Sequence, residues 1–194
     1  MNFEKNDKSI SNLNENDKKL VWTEKSKKSI LKTPVFTVTE RFSEGPDGIS
    51  GTYIVNEAHD WGIVIPVHNE NFLMVKQWRH GEMALSIEFP GGVIEENESP
   101  EEGAERELFE ETGAKAGKLT HLGTMNPNPA LFANHIHVFL AEELVFSGNQ
   151  NLDSDEFLNF MEIPQKEVIK KMGSPEYPHA LMASALCLYL AKKI

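Results

Sequence analysis

The sequence has little cysteine and no long apolar run. Cys187 is the single cysteine among 194 residues, so an internal disulfide is excluded and a reducing cytoplasm is indicated. The aliphatic residues around Cys187 predict an inert thiol packed in the core. The longest apolar stretch, residues 180–191, is too short to span a bilayer, and residues 1–19 lack the apolar segment of a secretory signal. We therefore expect a cytoplasmic protein that does not enter the membrane.

Positive charge is scarce as well. Lysine and arginine total 19 against 30 aspartate and glutamate residues, which gives a net charge of −11. Such a surface repels nucleic acid and anionic lipid, so neither is an expected partner. It also repels phosphorylated small molecules unless bound cations reverse the local sign. An acidic protein that acts on such an anion therefore implies metal ions at its site.

Composition divides the chain into three parts. Residues 1–19 are polar and low in aromatic residues, which predicts a disordered or frayed N-terminus. Residues 20–56 contain an alternating run at 35–39, a Gly-Pro-Asp-Gly turn at 45–48 and a second strand pattern at 52–55, which together predict a small antiparallel strand unit. Residues 57–194 interleave strand and helix patterns, which predicts the α/β class with a mixed sheet between helices.

Hydrophobic patterning predicts individual elements in the third part. Strands are expected at residues 61–67, 72–78, 86–89, 135–141 and 157–163, and closing helices at 167–172 and 179–193. The clearest element is a helix over residues 100–112. Ser99 and Glu102 form a capping box, Pro100 suits the first turn, and Gly113 is the expected stop.

Three glutamates share one face of that helix. Glu107, Glu110 and Glu111 stand at i, i+3 and i+4, a spacing at which like charges destabilise a bare helix. The arrangement becomes favourable when a divalent cation lies among the carboxylates. Hard oxygen ligands without histidine or cysteine suit Mg²⁺ or Mn²⁺ better than zinc. Taken alone, the pattern is also that of an ordinary solvated, glutamate-rich helix face.

The surrounding residues decide between these interpretations. The segment from Gly92 to Gly113 resembles the Nudix box. Its fixed positions are Gly92, five residues, Glu98, seven residues, Arg106-Glu107-Leu108, one residue, Glu110-Glu111, one residue and Gly113. A chance match of the fixed positions has a probability on the order of 10⁻⁸ per start position. Ala114 departs from the pattern, because the family more often has a larger aliphatic residue there, and this concerns packing more than chemistry. The chain is identified as a member of the Nudix hydrolases.

The resemblance implies a Nudix hydrolase domain over residues 57–194 that cleaves nucleoside diphosphates linked to a second group. Mg²⁺ is the implied cofactor, with Mn²⁺ as a substitute. The implied metal ligands are the box glutamates Glu107, Glu110 and Glu111, of which the last two are also catalytic, and the carbonyl of Gly91. Glu98 and Arg106 would form the ion pair that locks the loop to the helix.

Features outside the box resemble the branch that acts on ADP-ribose and other nucleoside diphosphate sugars. Pro129 lies fifteen residues after Ala114. Arg79 ends a Gln-Trp-Arg sequence on the strand before the box, and Glu88 lies just before the glycines. In that branch the matching arginine contacts a phosphate or the distal ribose, and the matching glutamate also lies in the site. The resemblance therefore implies substrate-binding roles for Arg79, Glu88 and Pro129.

The same branch is typically dimeric, with an N-terminal strand unit exchanged between subunits, and residues 20–56 could supply such a unit. Trp22 could stack on the adenine, although simple packing in a core or interface explains it equally well. Asn134 and His137 are further candidates for substrate contact. The expected partners are therefore a small nucleoside diphosphate sugar and a second copy of the chain.

The general base is not fixed by the box. In the resembled branch a loop glutamate beyond the box often serves, and Glu156 is our prediction, with Asp155, Glu162 or a helix glutamate as alternatives. Two other functions also remain open. One is a Nudix hydrolase of dinucleoside polyphosphates or nucleoside triphosphates, and the other is a non-catalytic nucleotide-sugar sensor. A sensor would be expected to lose box carboxylates, and this chain retains all of them.

Overall fold

The computed structural model describes residues 13–152, 154 and 156–193. The predicted frayed N-terminus therefore falls mainly outside the described residues. Its described end contains helix α1 (Glu15–Lys18), a single turn. The side chain of Asn14 caps this turn by accepting hydrogen bonds from the backbone N–H groups of Asn16 and Asp17. Such a cap satisfies backbone donors that have no partner within the helix.

The chain divides into two compact units, and the first extends to Ala58 and includes Asn128–Ala133. Its sheet has the antiparallel order β1 (Thr23–Lys32), β2 (Phe36–Glu44) and β3 (Ser50–Ala58), with a 3-10 turn at Pro46–Gly48. The segment 128–133 joins the unit through the backbone of Asn56, which donates to the carbonyl of Leu131 at 2.7 Å and accepts from the N–H of Ala133 at 3.0 Å. Sequence patterning does not indicate this connection, because the segment has no strand period.

Strand β1 was not anticipated. Its sequence, TEKSKKSILK, is rich in lysine and has no apolar alternation, and nine of its ten residues are exposed. The strand exists because β2 offers a complete row of hydrogen-bonding partners, with two register shifts that absorb irregularity. Backbone pairing can therefore form a strand where side-chain burial gives no signal.

The second unit, His59–Pro127 with Asn134–Ile194, is built on a seven-stranded sheet. The sheet has the order β12-β5-β4-β10-β9, with β6 paired to β5 and β7 paired to β4. Its strands are β4 (Trp61–His68), β5 (Asn71–Arg79), β6 (Ala84–Glu88), β7 (Gly91–Val93), β9 (Lys118–Met125), β10 (Ile136–Glu142) and β12 (Leu158–Pro164), and a separate pair joins β8 (Ala114–Lys115) to β11 (Val145–Phe146). Strands β4 and β10 are parallel and the other pairs are antiparallel. The predicted mixed sheet is confirmed, although β9 was missed.

Helices cover both faces of this sheet, as predicted. They are α2 (Pro100–Thr112), α3 (Gln165–Lys171) and α4 (Ala180–Ala191). Leu108 of α2 packs with Val64 on one face, whereas Met182 and Tyr189 of α4 pack with Ile63 on the other. Successive residues of β4 point to opposite faces, so this central strand contributes to both cores and is apolar almost throughout.

Helix α2 begins and ends where the sequence indicates. The Ser99 side chain accepts from the N–H of Glu102 at 3.2 Å, and the Glu102 carboxylate accepts from the N–H of Ser99 at 2.8 Å. Gly113 ends the helix with φ 68°, and a Cβ there would overlap the carbonyl oxygen of Gly148. The capping box and the glycine stop are therefore confirmed, and they fix the position of the box glutamates along the sheet.

The prediction that Cys187 is packed in the core is wrong, because the residue is exposed. Helix α4 is apolar on nearly every side, so its sequence does not show which side faces the sheet. The buried side contains Met182, Ala185, Leu186 and Tyr189, and Cys187 falls outside that stripe. Within the described part of the chain, no helix is long and apolar enough to cross a membrane.

Candidate active site

The glycines of β7 lie directly against two glutamates of α2. The N–H of Gly91 donates to Glu111 Oε2 at 2.9 Å. A Cβ at Gly92 would overlap the carboxylate of Glu107, and a Cβ at Gly91 would overlap the carbonyl oxygen of Gly62 on the neighbouring strand. Gly91 therefore allows β7 to lie close against β4, and Gly92 leaves the space that the Glu107 carboxylate occupies.

Arg106 connects the loop before α2 to the carboxylates on it. Its Nε donates to Glu98 Oε1 at 2.6 Å and its Nη2 to Glu98 Oε2 at 3.0 Å, which makes the contact bidentate. Its Nη1 donates to Glu107 Oε1 at 2.9 Å and to Glu110 Oε2 at 2.8 Å, and its Nη2 reaches the carbonyl of Val93 at 3.0 Å. One guanidinium thus holds three box carboxylates and the end of β7 in a fixed arrangement.

Burial raises the pKa of two box glutamates. The pKa of Glu107 rises from 4.5 to about 7, because burial outweighs the opposing charge and hydrogen bond of Arg106. The pKa of Glu111 is raised well above 4.5, again mainly by burial, although the Gly91 N–H opposes the shift. Two buried carboxylates of like charge are costly to ionise together, and a cation between them would relieve that cost.

A cavity of about 340 Å³ opens beside these carboxylates. Four glutamates line it, namely Glu95, Glu107, Glu111 and Glu156. Trp61, Gln77 and Arg79 line it as well. The cavity therefore combines a group of carboxylates, which suits hard cations, with a guanidinium, which suits phosphate oxygens.

Arg79 and Glu88 pair with each other across neighbouring strands. Arg79 Nε donates to Glu88 Oε1 at 2.8 Å, and Nη2 donates to Glu88 Oε2 at 2.6 Å. The Glu88 side chain is fully buried, whereas that of Arg79 is 31% exposed. Burial would raise the pKa of Glu88, but the hydrogen bonds and charge of Arg79 outweigh it and lower that pKa. Glu88 is therefore an ionised support that orients Arg79, and it has no exposed surface with which to contact a substrate.

The candidate bases occupy different places. Glu156 lines the cavity, and its charge contributes to the raised pKa of both Glu107 and Glu111. Glu162 instead accepts hydrogen bonds from His68 at 2.9 Å and Asn71 at 3.0 Å, at the far end of β5. Its partner on β5, Leu73, is six residue steps from Arg79, a distance of about 20 Å along the strand, which removes Glu162 as a candidate. Asp155 lies outside the described residues.

Two further candidates in the second unit, Asn134 and His137, are not among the residues that line the cavity. His137 Nε2 lies 3.2 Å from Asp60 Oδ2, and Asn134 donates to the carbonyl of His59 at 2.9 Å. Trp22 and Pro129 belong to the first compact unit. In that unit the Trp22 ring packs edge-on against Tyr53 with centroids 5.5 Å apart. Trp22 therefore has a packing role, and its contact with a substrate stays a prediction.

Sequence reasoning missed four residues that line the cavity. Gln77 is two residues before Arg79 on β5, so the strand period alone places both on one face. Trp61 and Val93 are paired neighbours on β4 and β7, and this pairing is decided by the sheet rather than by local sequence. Glu95 lies between the box glycines and Glu98, where the box pattern leaves the residue type open.

The donor set fits a divalent cation, although the carboxylates have other partners in this arrangement. Among the described residues, no group of three acidic, histidine or cysteine side chains is placed to hold a metal ion as it stands. The reason is visible in the contacts, since Arg106 holds Glu107 and Glu110, and Gly91 holds Glu111. Ligation would require the carboxylates to exchange these hydrogen bonds for contacts with the ion.

Comparison with known proteins defines the class and then the family. The fold is similar to the crystal structure of an ADP compounds hydrolase, with a TM-score of 0.77 and 23% sequence identity over 88% of this chain and 93% of that one. The chain is 40% identical over 125 residues to the ADP-ribose pyrophosphatase of Bacillus subtilis (strain 168), which covers 63% of this chain and 68% of the relative. It is 24% identical over 162 residues to the ADP compounds hydrolase NudE of Escherichia coli (strain K12), which covers 82% and 87%.

The family model of the NUDIX domain matches residues 58–182. The chain therefore belongs to the Nudix family, and the resemblance drawn from its box is confirmed.

The raised pKa of Glu107 predicts a pH-dependent stability in the presence of a chelator. A folded-state pKa of about 7 against 4.5 means that the proton on Glu107 stabilises the fold below pH 4.5 and that this contribution is lost as the pH rises through about 7. Between pH 5 and 8, wild type should lose up to about 3 kcal/mol relative to Glu107→Gln. Urea unfolding at both pH values measures the difference, with Glu105→Gln on the exposed side of α2 as the control. An identical pH dependence in wild type and Glu107→Gln would contradict this account.

Proposed function

We propose that this Nudix pyrophosphohydrolase cleaves the pyrophosphate bond of ADP-ribose or another nucleoside diphosphate sugar and releases a nucleoside monophosphate and a sugar phosphate. The observation that carries the proposal is a single cavity in which buried carboxylates face a guanidinium held by its own buried partner. The relatives support the substrate class, because they are named ADP-ribose pyrophosphatase and ADP compounds hydrolase. All box carboxylates are present, which argues against a non-catalytic sensor.

Mg²⁺ is the proposed cofactor, with Mn²⁺ as a substitute. Glu107 and Glu111 would hold it with Glu110 and the carbonyl of Gly91, since carboxylate and carbonyl oxygens are the ligands that Mg²⁺ prefers. When bound, the ion neutralises phosphate charge and lowers the pKa of a water molecule. Arg106 would then hold chiefly Glu98, with which it already makes two hydrogen bonds, and would keep the loop attached to α2.

Arg79 is the proposed phosphate-binding residue. Its guanidinium is oriented by the bidentate contact with Glu88, so little conformational freedom is lost when it donates to a phosphate oxygen. Glu88 takes part through Arg79, as a positioning residue, rather than by touching the substrate. This division of labour revises the substrate-binding role that the resemblance implied for Glu88.

Glu156 is the proposed general base. It lines the cavity with Glu107 and Glu111, and its carboxylate is close enough to contribute to their raised pKa values. A carboxylate in that position can accept the proton of the attacking water, which needs only modest basicity once the water is acidified. Glu111 is the alternative on the helix itself, but its N–H contact with Gly91 suits it better to a ligand role.

A homodimer is the proposed assembly, with the first compact unit at the interface. Among the described residues of that unit only Thr39 is buried. Phe42 and Ile54 lie on one face of its three-stranded sheet and are 41% and 45% exposed. A small sheet with so little core needs an additional apolar surface to be stable. Residues 20–56 therefore fit a subunit interface. The substrate-binding roles of Trp22 and Pro129, which belong to this unit, stay predictions.

The first test of the function is a substrate panel with and without metal. Hydrolysis of ADP-ribose should be lost with excess chelator and restored by Mg²⁺ or Mn²⁺, because the buried carboxylates need a cation to bind pyrophosphate. ADP-glucose, GDP-mannose and diadenosine polyphosphates complete the panel, with product release measured by chromatography. Full activity in chelator would exclude the metal-dependent mechanism, and preference for the diadenosine compounds would favour the dinucleoside polyphosphate alternative.

The second test concerns the base. Glu156→Gln should lower kcat by roughly 10²–10⁴-fold, the usual loss for a general base, with little change in KM because Arg79 and the metal ligands are untouched. Glu162→Gln is the matched control, since Glu162 is also a carboxylate of this region but pairs with His68 and Asn71 away from the cavity. A near-normal kcat in Glu156→Gln would move the base to Asp155 or to a box glutamate.

The third test concerns assembly. Sedimentation at micromolar concentration should give a dimer, and Ile54→Asp should shift it toward monomer because a charge would be buried at the interface. Lys170→Glu, a charge change at an exposed position of α3 in the second unit, is the control and should leave the mass unchanged. A monomeric wild-type protein would exclude the proposed interface.

A further inference from the structure

A second cavity, of about 450 Å³, adjoins the one described above. Arg79 lines both cavities, so they are neighbours. The other walls of the second cavity come from the end of β5, from the β5–β6 turn and from the residues just before α4, namely Trp78, His80, Glu82, Pro178 and His179. Its volume lies within the range of small-molecule sites, and the pyrophosphate chemistry described so far does not use it.

The wall contributed by Arg79 is fixed in place. Glu88 holds the guanidinium with hydrogen bonds of 2.8 and 2.6 Å, and the Glu88 side chain is fully buried. A side chain held in this way cannot swing to fill either cavity without leaving an ionised carboxylate buried and unpaired, which is costly. The boundary between the two cavities is therefore preorganised.

His179 presents a directed hydrogen-bond donor. Its Nδ1 accepts from the N–H of Leu181 at 3.2 Å, which caps the start of α4. With Nδ1 occupied as an acceptor, the hydrogen of the neutral ring lies on Nε2. Burial lowers the pKa of His179, and the charge of Arg79 lowers it further while Glu88 opposes this, so the ring is neutral at pH 7.

The other walls supply an aromatic surface and an acceptor. Trp78 is 45% exposed although it is a large aromatic residue, and Glu82 brings a carboxylate to the same cavity. A hydroxyl group donates one hydrogen bond and also accepts, so a polyhydroxylated ring can satisfy Glu82 and His179 together. Its apolar ring face can pack on the indole. A second phosphate is disfavoured, because the Glu82 carboxylate would repel it.

We propose that the cavity formed by Trp78, His80, Glu82, Pro178 and His179 binds the sugar attached to the pyrophosphate, while Arg79 contacts the phosphate at the boundary. This inference rests on the proposed function, since it assigns one end of the proposed substrate. The β5–β6 turn and the start of α4 would then determine which sugar the protein accepts. The carboxylate cavity retains the metal ligands and the base.

Gly81 offers a way to block this cavity without touching the other. It lies in the β5–β6 turn, nothing would lie within 4 Å of an added Cβ, and its φ is outside the left-handed region. A leucine there adds bulk to the cavity at little backbone cost. Glu82→Gln is a second variant that keeps the shape and weakens the acceptor.

The experiment compares ADP-ribose with ADP methyl ester, which has the same pyrophosphate but no sugar. Gly81→Leu should raise KM for ADP-ribose about tenfold or more, as exclusion of a bound ring predicts, and Glu82→Gln about fivefold, as loss of one hydrogen bond predicts. KM for the methyl ester should change by less than about twofold in both. Lys166→Leu, which adds an exposed leucine on α3 outside both cavities, is the control. Equal changes for the two substrates, or none for either, would overturn the inference.

A binding measurement separates this inference from the proposed function. Titration calorimetry with ribose 5-phosphate should show binding to wild type and to Lys166→Leu, and a loss of about tenfold or more in affinity for Gly81→Leu. If wild type does not hydrolyse ADP-ribose but this pattern holds, the proposed function fails and the sugar site stands. If wild type hydrolyses ADP-ribose and the variants do not distinguish the substrates, the function stands and the sugar site fails.

Discussion

The burial of Glu107 and Glu111 side by side against β7 is the constraint on which the rest of the active site depends. Two carboxylates that share a buried position repel each other and resist ionisation, and burial accordingly raises the pKa of both. The surrounding structure compensates only in part, through one guanidinium and one backbone N–H. The close approach of β7 to β4 at Gly91 is available only to glycine. Burial of these two carboxylates therefore lowers the stability of the folded protein, and a bound cation would offset that cost.

A second arrangement of the same kind is formed by Arg79 and Glu88. Here the buried carboxylate is fully compensated, because two short hydrogen bonds join it to one guanidinium. The two pairs have opposite consequences. The incompletely compensated carboxylates of α2 are the proposed cation ligands, whereas the fully compensated pair holds a positive group in a fixed orientation. This difference is the basis for proposing that an acidic protein binds a phosphate here.

The two compact units differ in how they are stabilised. The sheet of the second unit is buried on both faces by α2 and α4, so its strands and helices reinforce one another. The sheet of the first unit has a single buried residue in its described part, and its strands are held mainly by backbone pairing. This contrast is the reason that the first unit is proposed as the subunit interface.

The sequence by itself determined the features that depend on local spacing. The capping box at Ser99, the stop at Gly113, the common face of the box glutamates and the family all follow from residues close together in the chain. Only the tertiary structure decided the rest. The pairing of β5 with β6 brings Arg79 onto Glu88, and the register of β12 takes Glu162 away from the cavity. Strand β1 was missed because backbone pairing leaves no periodic signal in the sequence. Cys187 was wrongly predicted to be buried because a uniformly apolar helix does not show which side faces the sheet. Contacts between residues distant in the chain are fixed by the sheet, and for that reason the cavities could be found only in the folded protein.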